Sequence, residues 1–397
     1  MKISKIKNCS NLKTLKWTVH ETPHLTIETN MTCNINCRSC YNLHKNYVKP
    51  LAQIKGEIDL ALQKRNLETI TLLGGEPTLH PQIPEIIRYI KSKKLICQML
   101  TNGIIFLKDK DDALLNKLIR GGLDRILLHI DNGQRHVHPD IDAARDLLFS
   151  KFEQKKIFFS LSMTVYQDDQ GSITTLIRRF AHYKYFDGIL ALMDRDACLL
   201  ADTNLSSNSR PELDEEYKSI QQELQIEPTA YIPSSLDDKY ISWLMYFYYI
   251  NIKSGFTLEI SPVVNRLFRK IYRWLSGRQV FAMTLSPKFF MISFLSTCIF
   301  EIILNPGKLG KIIRLIRNSV GFKGLRFHYI CIQSGPVFNT EKNQIQLCYH
   351  CPDATIRNGK LTPVCLADQI NPLPGGSGQN QISQPLFNTV YQHLEEI

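Results

Sequence analysis

The chain has 397 residues, 44% of them hydrophobic and 21% charged, which excludes wholesale disorder and leaves length for two or three domains. Against 37 Asp and Glu stand 48 Lys and Arg, a formal net charge of +11, and residues 251–330 alone hold thirteen basic and two acidic side chains. The remaining residues therefore sum to zero, which excludes a protein that is basic throughout and grips nucleic acid over its whole surface.

Residues 1–21 read as an N-terminal extension; they carry lysines but no continuous apolar stretch, so no signal peptide is expected. Eleven cysteines in a long chain of this kind point to metal or redox use in the cytoplasm, not to a disulfide framework. From His24 the chain alternates short apolar runs with amphipathic stretches. The runs are His24–Thr29, Glu68–Leu73, Leu95–Thr101, Arg125–Asp131, Ile157–Val165 and Gly188–Met193. Helices are expected at Gln53–Arg65, Pro84–Lys93, Ala113–Gly121, Asp142–Lys155 and Ile173–His182. Strands separated by such helices predict βαβ units, a parallel sheet curling toward a barrel, and ligands at the carboxyl ends of the strands.

Directly after the first strand stand Cys33, Cys37 and Cys40, spaced C-x3-C-x2-C in a polar loop. Three thiolates on one loop can ligate three irons of a 4Fe–4S cubane and leave the fourth iron open. A zinc site needs a fourth ligand, for which His44 is the local candidate. After the second strand comes Gly74-Gly75-Glu76-Pro77, whose glycines allow close backbone approach and whose carboxylate suits an ammonium. The third strand ends in Thr101-Asn102-Gly103 and the fourth in His129-Ile130-Asp131. The fifth places Ser160, Ser162 and Thr164 on one alternating face.

Over about residues 22–196 these motifs resemble the radical SAM superfamily. The resemblance implies an α/β fold, a (β/α)6-type partial barrel over residues 22–200, and an enzyme. It implies a 4Fe–4S cluster on Cys33, Cys37 and Cys40 and S-adenosylmethionine held by Gly74, Gly75, Glu76, Asn102, Asp131 and Ser162. The implied chemistry is reductive cleavage of S-adenosylmethionine to a 5′-deoxyadenosyl radical that abstracts a substrate hydrogen, fed by a donor such as flavodoxin or ferredoxin. One departure is Ser39, where the family usually has an aromatic residue; Tyr41 follows Cys40 instead.

Cys331, Cys348, Cys351 and Cys365 form a second set, with Asn358-Gly359 reading as a tight hairpin turn. Residues 329–370 resemble the SPASM and twitch extensions of radical SAM enzymes, which implies an auxiliary iron–sulfur cluster. Those extensions favour four residues between glycine and cysteine, whereas five separate Gly359 from Cys365. Structural zinc remains open for this set, and His350 is an alternative to Cys331, whose strand reads as buried. The single cysteines Cys9, Cys97, Cys198 and Cys298 read as core or surface residues.

Residues 201–240 read as a linker with one acidic helix, and 241–328 as a basic, apolar helical insert that begins with a buried helix at Ile241–Ile252. Val263–Leu275 and Lys308–Val320 each set an apolar face against arginines and lysines. Between them Phe289–Leu304, sixteen residues long, falls short of the about 20 that span a bilayer. Basic amphipathic helices around an apolar segment suit either peripheral membrane contact through residues 255–325 or helices packed on one another. No RNA-binding signature accompanies the arginines, so nucleic acid is not an expected partner. A flexible linker and terminal helix complete the chain at 371–397. The expected substrate is a peptide, a protein or a lipid-linked molecule; the competing reading is a non-catalytic iron–sulfur or zinc protein for electron transfer.

Overall fold

The computed structural model describes residues 1–2, 5–6, 12–15, 17–42, 46–169, 171–194, 213–281, 287–317, 324–339 and 344–373. Cys9, His44, Cys198, residues 201–212 and the linker and helix expected beyond 373 lie outside these described residues.

In chain order the elements are β1 (Lys13–Thr14), β2 (His24–Asn30), α1 (Leu51–Lys64), β3 (Thr69–Gly74), α2 (Ile83–Ser92), β4 (Ile96–Thr101), α3 (Ile104–Lys108), α4 (Ala113–Gly121) and β5 (Arg125–His129). They continue as α5 (Ile141–Gln154), β6 (Phe158–Val165), α6 (Ser172–Phe180), β7 (Phe186–Met193), α7 (Leu213–Leu224), β8 (Ala230–Pro233), β9 (Ile241–Asn251) and β10 (Thr257–Glu259). Last come α8 (Pro262–Ser276), α9 (Pro287–Leu304), α10 (Leu309–Arg317), β11 (Leu325–Gln333), β12 (Val337–Asn339), β13 (Gln344–Gln346), β14 (Ala354–Arg357), β15 (Lys360–Pro363) and α11 (Ala367–Ile370).

The six strands expected from the sequence are β2 to β7, paired in parallel and in sequence order. Their covering helices bury stripes at helical spacing, such as Ile54, Ile58 and Ala61 on α1 or Ile83, Ile86, Ile87 and Ile90 on α2. With helices outside and a cavity inside, β2 and β3 are buried at every residue, as expected of parallel strands covered on both faces. The sheet then runs past the expected six strands. Beside β7 lies β11, parallel to it, followed by antiparallel β9, then β8 and β1.

This corrects two expectations. Ile241–Ile252 is no helix but the eleven-residue strand β9, buried throughout. A continuous apolar run covered on both faces has no period by which helix and strand can be told apart, and its Trp, Tyr, Phe and Ile residues favour the pleated form. The insert is accordingly two strands followed by three helices. The boundary drawn between 328 and 329 also falls inside β11, which belongs to the main sheet.

A second buried cluster joins this added half to the helices: Trp243, Phe247, Tyr249 and Phe327 from the strands meet Phe294 and Leu315 from α9 and α10. The C-terminal cysteine segment spans the two margins of the sheet. At one margin the Leu347 carbonyl accepts from Ser235 N–H at 2.8 Å, and Tyr349 N–H donates to the Pro233 carbonyl at 3.0 Å. At the other, the β14–β15 hairpin lies on β2, where Thr26 Oγ1 donates to the Ala354 carbonyl at 2.9 Å. The hairpin turns through Asn358 and Gly359, both at positive φ (47° and 76°), the geometry of a type I′ turn.

Candidate active site

Two loops at the carboxyl ends of β2 and β3 are knitted into one unit. Gly75 N–H donates to the Asn30 carbonyl at 2.7 Å, Glu76 N–H to Thr32 at 2.9 Å, and Tyr41 Oη to Gly74 at 3.0 Å. A Cβ on Gly74 would stand 2.0 Å from Asn30 O, and one on Gly75 2.2 Å from Thr32 O, so only glycine lets the loops meet. Cys33, Cys37 and Cys40 all face the same cavity beyond this junction.

The surroundings of Cys37 favour a cationic guest. The Cys37 thiol is pushed up to about 12, first by burial, then by Cys40, Asp131 and Cys33; only Gln134 Nε2, 3.5 Å from its sulfur, opposes this. Burial and neighbouring negative charge disfavour a thiolate, whereas bound metal deprotonates a ligating thiol outright. A second donor, Asn102 Nδ2, lies 3.9 Å from Cys33 Sγ. Among the described residues, no three His, Cys, Asp or Glu side chains form a set around a single ion. A cubane asks something different, one thiolate on each of three irons, and the donor set meets that chemistry.

Glu76 is buried and lines the cavity. Its Oε1 accepts from Thr78 N–H at 3.1 Å, Thr78 Oγ1 at 2.6 Å and Thr101 Oγ1 at 2.7 Å. Its Oε2 accepts from Asn102 N–H at 2.8 Å, which leaves that oxygen further acceptor capacity. Burial raises its pKa and these bonds oppose the rise. Asn102 and Ser162 also line the cavity, as do Gly74 and Gly75. Asp131 does not. Its carboxylate turns back to accept from Gly133 N–H at 2.9 Å and Thr164 N–H at 2.8 Å, and its neighbour His129 faces the cavity in its place.

Cys331, Cys348, Cys351 and Cys365 line this same cavity of about 340 Å³, within the usual range for small-molecule sites. Cys351 has its thiol pKa raised first by its hydrogen bond with Cys348, then by burial and by Cys365. Cys331 is raised by burial, then by Asp353 and Cys348. His350 is not among the lining residues, so of the two alternatives Cys331 is the one that faces the cavity. Cys97 and Cys298 are buried core residues, as read from the sequence.

Several lining residues escaped the sequence reading. Trp243 Nε1 donates to Cys348 Sγ at 3.1 Å, and reading β9 as a helix hid it. His24 sits between Thr71 Oγ1, 2.7 Å from Nε2, and the Pro352 carbonyl, 3.0 Å from Nδ1, and stacks on Phe281 at 4.0 Å. Gln98 of β4 and Arg125 of β5 add polar groups to the lining, and Trp17, Met245 and Phe247, which belong to one apolar cluster, add an apolar wall. The cavity thus has a thiol-rich end, a second thiol cluster and an apolar flank.

Residues 27–147 match the Radical SAM superfamily. The chain is similar to a probable GTP 3′,8-cyclase of Methanococcus aeolicus, 34% identical over 119 residues, which cover 28% of this chain and 38% of the relative. It is also similar to an S-adenosylmethionine-dependent nucleotide dehydratase of a Thermoplasmatales archaeon, 30% identical over 79 residues, or 19% and 28% of the two chains. The chain thus spans less than two fifths of the length of these curated relatives. Among solved structures, Streptococcus suis SuiB bound to precursor peptide SuiA aligns with a TM-score of 0.37 at 13% identity, over 45% of this chain and 41% of that one.

Proposed function

From the radical SAM domain that residues 27–147 make up, we propose that this chain is an enzyme that cleaves S-adenosylmethionine reductively and abstracts hydrogen from a substrate held in the shared cavity. When bound, the 4Fe–4S cluster and S-adenosylmethionine supply the electron and the 5′-deoxyadenosyl radical for that abstraction. The chain's own residues do the rest. Cys33, Cys37 and Cys40 would hold the cluster, with Gln134 and Asn102 donating to two of the sulfurs and tuning it. Gly74, Gly75 and Glu76 would receive the amino end of S-adenosylmethionine, and Asn102 and Ser162 would line its remainder. Asp131 would act through the turn and strand it braces.

Cys348, Cys351, Cys365 and Cys331 would hold a second iron–sulfur cluster or a zinc ion beside the substrate, braced by Trp243. The substrate in this reading is a peptide, a protein or a lipid-linked molecule, and the apolar wall of Trp17, Met245 and Phe247 favours a body with substantial apolar surface. A flavodoxin- or ferredoxin-type donor supplies the electron. The chain works in the cytoplasm, peripheral to the inner face of a membrane through residues 255–325.

One observation carries the reading: both cysteine sets and the GGE segment line a single cavity. Anaerobic reconstitution with iron and sulfide, followed by dithionite and S-adenosylmethionine, should yield 5′-deoxyadenosine, and Cys37→Ala should abolish it. A reconstituted cluster that forms none would favour the electron-transfer reading instead. Iron and sulfide counts on the parent and on Cys348→Ala/Cys351→Ala distinguish one cluster from two.

A further inference from the structure

We propose that the outer face of α8, α9 and α10 is a docking surface for an anionic lipid bilayer. The proposal rests on the peripheral location inferred above, to which it gives a face and a lipid chemistry, and it is independent of the radical chemistry.

The first observation is where apolar surface remains uncovered. Of fifteen large apolar side chains exposed among the described residues, thirteen lie on these three helices. Trp274 is 82% exposed, Leu275 71%, Ile303 67% and Ile292 62%. Monomeric soluble proteins scatter such residues singly; a contiguous patch marks an interaction surface.

The second observation is that the exposure is periodic. On α9, Ile292, Leu295, Ile299 and Ile303 recur at helical spacing on the open side. The opposite side is fixed: Phe294, Thr297 and Glu301 are buried, Tyr249 Oη lies 3.0 Å from Ser293 Oγ, and Glu301 Oε1 accepts from Ser261 N–H at 2.6 Å. On α10, Ile312 and Leu315 face in while Leu309, Ile313 and Ile316 face out. On α8, Val264, Asn265 and Arg269 face in while Ile271, Trp274 and Leu275 face out. The helices have therefore spent one face on the protein and keep a second apolar face. An all-helical packing of residues 255–325 would have used both.

The third observation is charge, and it selects the occupant. Arg266, Lys270, Arg314 and Arg317 are exposed on α8 and α10. The three helices contain one acidic residue, Glu301, which is buried and engaged by Lys308 at 3.3 Å. Glu259, beneath them, is held by Lys308 at 3.1 Å and Lys311 at 3.3 Å. Beside α8 Glu21 pairs with Arg273 at 2.5 Å, and Arg266, Lys270, Arg314 and Arg317 outnumber it, so the outward surface is apolar with an excess of positive charge, the complement of anionic headgroups above an acyl boundary. No helix among the described residues is long and apolar enough to cross a membrane, so insertion is in the plane of the interface.

The helices are hydrogen-bonded to the barrel half close to the cavity. Tyr272 Oη donates to Glu68 at 2.8 Å, Phe281 N–H to the same carboxylate at 2.7 Å, and Asn66 Nδ2 to the Gly277 carbonyl at 2.8 Å. Arg269, on the inner side of α8, and Phe281 line the cavity. Docking through the outer side of α8 sets the cavity one helix diameter, about 10 Å, from the lipid surface.

The test uses the full chain, reconstituted anaerobically, with vesicles of phosphatidylcholine alone or mixed equally with phosphatidylglycerol. The protein should float with the mixed vesicles, and raising NaCl from 0.1 to 0.5 M should weaken binding by about tenfold or more. Trp274 is a built-in reporter, because Trp17 and Trp243 are buried. Its emission should move to shorter wavelength on binding, and Trp274→Phe should lose that shift while still floating. Ile299→Asn/Ile303→Asn and Arg266→Glu/Lys270→Glu alter exposed positions and should fold but not float. Absence of flotation, or equal binding to neutral vesicles, overturns the proposal. A dimer in light scattering that these same variants dissociate overturns it too, by assigning the face to a second copy. Formation of 5′-deoxyadenosine, measured without vesicles, reports on the radical chemistry alone.

Discussion

Arg357 holds Glu28 through two parallel hydrogen bonds, Nε to Oε2 at 2.7 Å and Nη2 to Oε1 at 2.6 Å, and neither side chain has solvent access. One end of this fork belongs to the C-terminal hairpin and the other to the strand that leads into the Cys33 loop. Asp368 takes the remaining edge of the guanidinium at 2.6 Å, and the Asn371 carbonyl accepts from it at 3.2 Å. Its partners are therefore two carboxylates for one cation, and they hold the Arg357 pKa above its ordinary value against the opposing effect of burial.

Breaking such a pair leaves an uncompensated buried charge. Arg357→Met should cost about 3–5 kcal/mol in chemical unfolding, and Glu28→Gln/Arg357→Met should recover a substantial part of it. Equal losses in the single and double variants would show that the fork is not what ties the hairpin to β2.

Gln134 predicts a redox effect separable from folding. Its amide points at Cys37 Sγ, and a hydrogen bond to a ligating sulfur stabilises the more negative, reduced cluster. Gln134→Leu should lower the midpoint potential by roughly tens of millivolts, read by anaerobic redox titration with electron paramagnetic resonance. An unchanged potential in a folded variant with full iron content removes Gln134 from the cluster's surroundings.

Glu216 on α7 provides the pH dependence. Burial lifts its carboxyl from 4.5 to about 7, opposed by the hydrogen bond from Gly171 N–H at 2.8 Å. With the folded-state value raised, its contribution is intact below pH 4.5, erodes as pH climbs from 4.5 to 7, and becomes a full cost above 7. Glu216→Gln should therefore match the parent near pH 4 and exceed it at pH 8 by about 2–3 kcal/mol. Thermal unfolding at the two pH values checks this, and a constant difference between the proteins would contradict it.

Trp243 makes a prediction confined to the second cysteine set. Trp243→Phe keeps the aromatic volume but loses the Nε1 hydrogen bond to Cys348 Sγ. Metal at the C-terminal site should then be lost to chelator about 10–100 times more readily, with 5′-deoxyadenosine formation initially unchanged. Equal chelator sensitivity in both proteins would mean that the bond does not support the metal.

The first half of the fold was legible because its signals were local. Each of β2 to β7 has a β-branched or apolar run, and each covering helix has a stripe such as Ile173, Leu176, Ile177 and Phe180 on α6. The thiols and the GGE turn were legible because their spacing carries the chemistry. What failed was non-local. The run Ile241–Asn251 reads alike as helix or strand until β11 pairs with it from eighty residues away, Tyr329 opposite Phe247. Asp131 stands at a strand end as read; the bond it accepts from Gly133 N–H is local, and the one from Thr164 N–H comes from the neighbouring strand. No spacing rule reveals a hydrogen bond that a neighbouring strand will donate.

The span of the C-terminal segment across both margins of the sheet has a consequence in time. Thr26 meets Ala354, and Glu28 meets Arg357, across 328 and 329 positions of sequence. On a ribosome, β2 to β7 can pair as they emerge, since each strand finds its neighbour within one helix of chain. The lining residues Cys348, Cys351, Asp353, Val364 and Cys365 flank the last hairpin, and bringing them to the cavity closes a loop of more than three hundred residues onto β2. Until that closure the two cysteine sets lie far apart in the chain, and only with it does one cavity hold both.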